Sequence, residues 1–258
     1  MLAKQNRTVD LRLAIATLIF LTTLIPLDSL AVVIRHDKDD ADVLRLGQRF
    51  DAVGRVLPDG ACTLVAPTWI ATAAHVAASI TADSRIQFGN TKYAVKRTVI
   101  HPEGGKRRGR PPEVDLALVE LADSVKSIKP IELYKERKEL GATLFIVGYG
   151  DYGSPKSGLK RTDHRRRAVT NVVDDAGPLR IFMTFHEPPE GTEHEGVGGP
   201  GDSGGPALLE QDGKLYLVGV SSGSMNGKPG QYGVTDVYTR VSSYIEWITK
   251  VMNSEPQS

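Results

Sequence analysis

Short apolar runs broken by polar turns dominate the chain, which is the pattern of an antiparallel, strand-rich protein. Ile86-Gln87-Phe88 and Tyr93-Ala94-Val95 alternate in polarity across Gly89-Asn90, and Leu208-Leu209 and Leu215-Tyr216-Leu217 flank Asp212-Gly213. Both are hairpin signatures, because Gly, Asn and Asp tolerate the positive φ of tight two-residue turns. Two buried strands follow from Trp69-Ile70-Ala71-Thr72-Ala73-Ala74 and from Val114-Asp115-Leu116-Ala117-Leu118-Val119. One segment carries helical spacing: Val241, Tyr244, Ile245, Ile248, Val251 and Met252 form a single apolar stripe. It predicts a helix over 242–252, opened by a capping box at Ser243-Tyr244-Ile245-Glu246 and packed on the core. No repeat or low-complexity segment interrupts the pattern.

The start of the chain reads differently. Lys4, Arg7 and Arg12 precede an almost wholly apolar stretch, Leu13 to Leu27, followed by small residues at Ser29 and Ala31. This is the form of a secretory leader, 1–31, with cleavage expected after Ala31. The apolar run is shorter than the ~20 residues of a spanning helix, so an uncleaved anchor is the lesser reading and the mature chain is expected to be soluble, secreted or periplasmic. Residues 1–31 hold three of the 32 bases and two of the 31 acids, leaving a mature chain of zero formal charge that calls for neither nucleic acid nor an anionic membrane. Basic runs at Lys106-Arg107-Arg108-Gly109-Arg110 and Arg165-Arg166-Arg167 read as solvated surface loops. One cysteine, Cys62, permits no internal disulfide and reads as a small buried residue. No metal or cofactor signature is present.

The chemistry centres on Gly201-Asp202-Ser203-Gly204-Gly205-Pro206. Glycines around a serine allow a tight turn that leaves the hydroxyl uncovered beside backbone N–H groups, so a nucleophile and an oxyanion site can share it. A serine needs a base, and the base needs an orienting group. Among six histidines, His75 alone ends an apolar run, and Asp115 is an acid set inside another, where burial is costly without a partner. The order His75, Asp115, Ser203 excludes the G-x-S-x-G elbow of α/β hydrolases, because no histidine follows Ser203. An Asp-before-His order is formally open to the acids between Asp37 and Asp59, but the alternating helices of that fold are missing.

The chain resembles the trypsin/chymotrypsin family of serine peptidases, in a bacterial-type form without disulfides. The resemblance rests on Thr72-Ala73-Ala74-His75, Asp115-Leu116-Ala117-Leu118, Gly148-Tyr149-Gly150, Gly201 to Pro206, and Val237-Tyr238-Thr239-Arg240-Val241 before the last helix. It implies an all-β fold of two six-stranded antiparallel barrels with a C-terminal helix. The expected units are 32–135, carrying His75 and Asp115, and 136–258, carrying Ser203 and the helix, with a linker near 133–141.

It further implies an endopeptidase acting through an acyl-enzyme, with His75, Asp115 and Ser203 catalytic and the Gly201 and Ser203 amides as oxyanion donors. A catalytically inactive, protease-like binding protein and an esterase on the same barrels remain open alternatives. Asp202 matches the acid that pairs with a newly made N-terminal ammonium, for which cleavage would supply Val32, or Ile34 if the terminus lies later. The substrate pocket is expected from Val197, Ser221, Ser222, Gly223 and Asp236. Val197 occupies the position where the family's basic-specific members carry Asp; Asp236, on the pocket wall, therefore implies a basic preference, and a Val197 floor an apolar one. Expected partners are a polypeptide substrate and a protein inhibitor of a monomeric enzyme.

Overall fold

A computed structural model describes residues 32–105 and 112–254; the leader and the basic run at 106–110 lie outside them. The first half closes a six-stranded antiparallel barrel. In spatial order its strands are Val53–Leu57, Ala61–Ala66, Trp69–Thr72, Ala117–Leu121, Thr91–Ile100 and Arg85–Phe88, the last pairing back onto the first. The second half is a curled sheet in the order Arg167–Val172, Thr143–Gly148, Pro206–Gln211, Lys214–Met225, Thr235–Arg240, Arg180–Thr184 and Asp175–Ala176. Glu132–Leu133 adds to it in parallel beside Lys214–Met225. Its backbone ladder stays open, and the Asn171 side-chain amide bridges the seam by donating to the carbonyls of Thr184 and Gly196, both at 3.0 Å. This is the expected all-β class.

The turn chemistry explains the registers. Asp212 and Gly213 both hold positive φ, at 52° and 71°, so Gln211 pairs directly with Lys214. Gly89, at φ 55°, does the same for Phe88 and Thr91.

The C-terminal helix forms, but not as its sequence predicts. A 3-10 turn at Val241–Ser243 precedes an α-helix at Ile245–Met252, and no side chain caps it. The Ser243 hydroxyl instead donates to the Pro178 carbonyl at 2.6 Å, so the capping box is not made. Tyr244, Ile248 and Val251 pack into the core of the first barrel, although the helix follows the second.

A further helix, Asp40–Gly47, is unsignalled by the sequence: only Val43, Leu44 and Gly47 are buried along it. Asp40 takes Arg167 in a bidentate pair, and Asp163 takes the same guanidinium from the other side. Arg167 is 1 % exposed, which corrects the solvated reading for that member of the basic run.

Cys62 is buried in the first barrel. Among the described residues no helix is long and apolar enough to cross a membrane, and no group of side chains could hold a metal ion.

Candidate active site

His75 follows the strand Trp69–Thr72 and sits in the short helix Ala74–Ala77. Its backbone N–H donates to Asp115 Oδ1 at 3.0 Å, and its Nδ1 lies 2.7 Å from Asp115 Oδ2. The Ser222 hydroxyl donates to the same Oδ2 at 2.7 Å. Asp115 is wholly buried, and its own backbone is pinned: its N–H donates to Thr239 Oγ1, and the Thr239 hydroxyl faces its carbonyl, both at 3.2 Å. The carboxylate therefore cannot rotate without losing several bonds at once.

Ser203 comes from the second half. Gly201 and Gly204 hold positive φ, 93° and 81°, and a Cβ at Gly204 would lie 2.1 Å from Thr72 Oγ1, so the turn can approach the first barrel only as glycine. Ala61 N–H donates to the Ser203 carbonyl at 2.8 Å, and Gly204 N–H to the Ser221 carbonyl at 3.0 Å. Among the described residues the Gly201 and Ser203 N–H groups have no protein acceptor. Ser203, His75 and Gly201 line one cleft of about 210 Å³ with Asp59, Gly60, Val76 and Ser79. No hydrogen bond joins Ser203 Oγ to the imidazole in this structure.

A second cavity, about 150 Å³, opens on the other side of Ser203 and is walled by Asp236, Gly198, Ser221 and Gly223, together with Pro200 and Pro229. Asp236 is 3 % exposed. Its Oδ2 accepts from Gly198 N–H at 2.6 Å and faces the Tyr238 hydroxyl at 3.4 Å. Burial, reinforced by the nearby charge of Asp202, pushes its pKa up to about 8 against the pull of the Gly198 bond. Val197 does not line this cavity; its side chain packs with Val33, Phe185 and Val234. The hydroxyl of Ser222 serves Asp115.

Asp202 is also buried. Its Oδ1 accepts from the N–H groups of Tyr149 and Gly150 at 2.9 and 3.1 Å, and its Oδ2 from Gly199 at 3.2 Å. Burial pushes it up to about 7 in spite of these three bonds. The segment Val32, Val33 and Ile34 is buried nearby: Val33 pairs with Gly153 on one side and Val197 on the other, and Ile34 with Gly196.

Sequence reasoning missed Thr239 as the clamp on Asp115, although it lies in a run already singled out, and it missed Ser224, Pro200 and Pro229 on the cavity wall. The available signal for Thr239 was a hydroxyl in a short strand between Tyr238 and Arg240, in the run Val237-Tyr238-Thr239-Arg240-Val241.

The family model "Trypsin" matches residues 57–248. A human relative, serine protease 41, is 28 % identical over 183 residues, 64 % of this chain and 54 % of that protein. Trypsin 5G1 of Aedes aegypti is 27 % identical over 204 residues, 73 % of each chain. The chain thus spans about half the length of the human relative. The solved structure of neuropsin, a serine protease expressed in the limbic system of mouse brain, superposes with a TM-score of 0.65 at 20 % identity, covering 80 % of this chain and 96 % of that one, a likeness of fold. With the family model covering most of its length, the chain belongs to the trypsin family of serine proteases.

Proposed function

We propose that the protein is a secreted endopeptidase that cleaves polypeptides through an acyl-enzyme, with residues 32–135 and 136–258 as its two halves. The observation that carries this reading is the His75–Asp115 contact at 2.7 Å with Ser203 in the same cleft. A carboxylate only accepts, so Asp115 holds the proton of that contact on Nδ1 and leaves the Nε2 lone pair for Ser203. Ser203 Oγ bonds to the scissile carbonyl carbon as its proton passes to Nε2, and the carbonyl oxygen turns to the free Gly201 and Ser203 N–H groups. The proton then goes to the leaving amine, the C–N bond breaks, and water frees the acyl group by the reverse sequence.

Asp236 supports a preference for Lys or Arg at the acyl side, because its buried carboxylate lacks a cationic partner among the described residues and walls the cavity beside the nucleophile. Removal of the leader after Ala31 would free an ammonium on Val32, and the burial of residues 32–34 next to the 196–202 loop supports Asp202 as its partner. The test compares kcat/KM on matched peptide and ester substrates, with titration by a serine-directed phosphonylating reagent. A folded protein that neither reacts nor cleaves peptides overturns the reading, as does an ester-only activity.

A further inference from the structure

The basic run that did not join the active site has a structural context of its own. Arg167 is consumed by Asp40 and Asp163, whereas Arg165 and Arg166 face a cleft of about 300 Å³ together with Arg55 and His164. Leu44 and the Tyr149 ring give this cleft apolar walls, its remaining lining is side-chain amides and glycine, and no carboxylate lines it. Arg166 is satisfied at each guanidinium nitrogen, by the Gly47 carbonyl at 2.7 Å, the Tyr149 hydroxyl at 3.1 Å and Asp51 at 2.6 Å. Arg55 is not: it is only partly exposed, and although its backbone pairs in the sheet, its guanidinium makes no hydrogen bond or ion pair among the described residues. Burial pulls its pKa down, opposed through space by Tyr149 and Asp59. A guanidinium half removed from water without an acceptor is an uncompensated cost that a bound anion relieves. His164 turns into the left-handed region at φ 60°, its N–H held by Thr162 Oγ1 at 2.8 Å, which sets His164 and Arg165 on the rim.

Arg55 lies on the same hairpin as Asp59 and Gly60, which wall the catalytic cleft on the side of Ser203 away from the Asp236 cavity. Five Cα–Cα steps separate Arg55 from Gly60, at most ~19 Å. An extended peptide covers that span in about six residues.

We propose that this cleft is a second recognition site, taking the carboxylate side chains of an acidic stretch that lies downstream of the scissile bond. The reading rests on the peptidase function for the word downstream, but the cleft itself does not depend on catalysis. A space of this size admits one or two side chains, and its apolar walls suit the methylene stems of glutamate. Salt should weaken the interaction, since the rim is open to solvent.

The experiment uses the full chain with Ser203→Ala, so that binding is read without turnover. A fluorescein-labelled decapeptide of alternating Glu and Leu is titrated by anisotropy against its Gln counterpart. The Glu peptide should bind at least 10-fold more tightly, and Arg55→Gln and the exposed Arg165→Gln should each weaken it several-fold. Equal binding of the two peptides, or Glu-peptide binding unchanged in both variants, overturns the proposal. Arg55-dependent binding of a sulfated disaccharide in place of the Glu peptide overturns the peptide class. In the active enzyme, Glu at the fifth and sixth leaving-side positions should lower KM several-fold relative to Gln, and Arg55→Gln should erase that difference while a short substrate is cleaved as before. Failure of short-substrate cleavage in the unaltered enzyme would instead strike the peptidase reading.

Discussion

Asp236 and Asp202 lie on either side of Gly198, both buried, and the charge of Asp202 makes Asp236 harder to ionise. A Cβ added at Gly198 would sit 3.2 Å from Asp236 Oδ2 and 3.7 Å from Asp202 Cβ, so a single residue separates the two acids.

Both pKa values are raised above 3.8, to about 8 and about 7. At these two groups the folded chain holds more protons than the unfolded one between pH 4 and 8, so their contribution to stability falls as pH rises through that window, opposed near neutrality by His101, whose pKa burial lowers. With the leader uncleaved, Tm from scanning calorimetry should decrease from pH 5 to pH 8, and Asp236→Asn should flatten the upper part of the decline. A Tm that rises over that range in the uncleaved protein contradicts the assignment.

The triad should behave as a unit. Ser203→Ala or His75→Ala should each lower kcat by at least ~10³-fold, with little further loss in the double variant. Near-normal peptide cleavage by folded Ser203→Ala protein removes Ser203 as nucleophile.

Thr239 is predicted to position Asp115 through the backbone. Thr239→Val leaves the buried Asp115 N–H and carbonyl without their partner, at a cost of about 1–3 kcal/mol per group. Urea denaturation should show that loss, and Thr239→Ser should restore most of it. An unaltered midpoint in Thr239→Val would mean that Asp115 is held by His75 and Ser222 alone.

Glu139 and Arg240 form a buried pair 101 residues apart, with Arg240 Nε donating at 3.0 Å. Glu139→Ala strands a guanidinium that is then left with the Gly177 carbonyl, so about 3–5 kcal/mol of stability should be lost. Replacing both residues with apolar ones of similar volume should recover much of that loss in the same denaturation assay.

Preference at the cavity is tested by kcat/KM on matched Arg and Phe substrates. The Arg substrate should be favoured, and Asp236→Asn should reduce the ratio. A ratio that survives the substitution excludes Asp236 as the determinant.

What could be read from the sequence was local. Asp212-Gly213 and Gly89-Asn90 set two registers by their own torsions, and Asp115 stood out because an acid in an apolar run needs a reason to be there. What could not be read depends on distant partners. Thr239 reaches Asp115 across 124 residues and Ser222 reaches it across 107, with no periodicity to announce either. Arg167 looks like its two neighbours until Asp40 arrives from a helix with only three buried residues. Ser243 fits a capping box, but the Pro178 carbonyl competes for its hydroxyl and wins. Val197 is the remaining case: its place in the chain pointed to the pocket, while its pairing with Val33 turns it into the small core beneath.

Cys62, the single thiol of the chain, is fully enclosed in the first barrel and burial pushes its pKa far up. The folded protein should therefore ignore thiol-directed reagents that modify the unfolded chain at once. Pulsed alkylation followed by mass measurement then becomes a clock for the opening of that barrel alone, one adduct per opened molecule, without any probe having to be introduced. Because no oxidant is needed to assemble the fold, the same clock should run identically in reducing and non-reducing buffers.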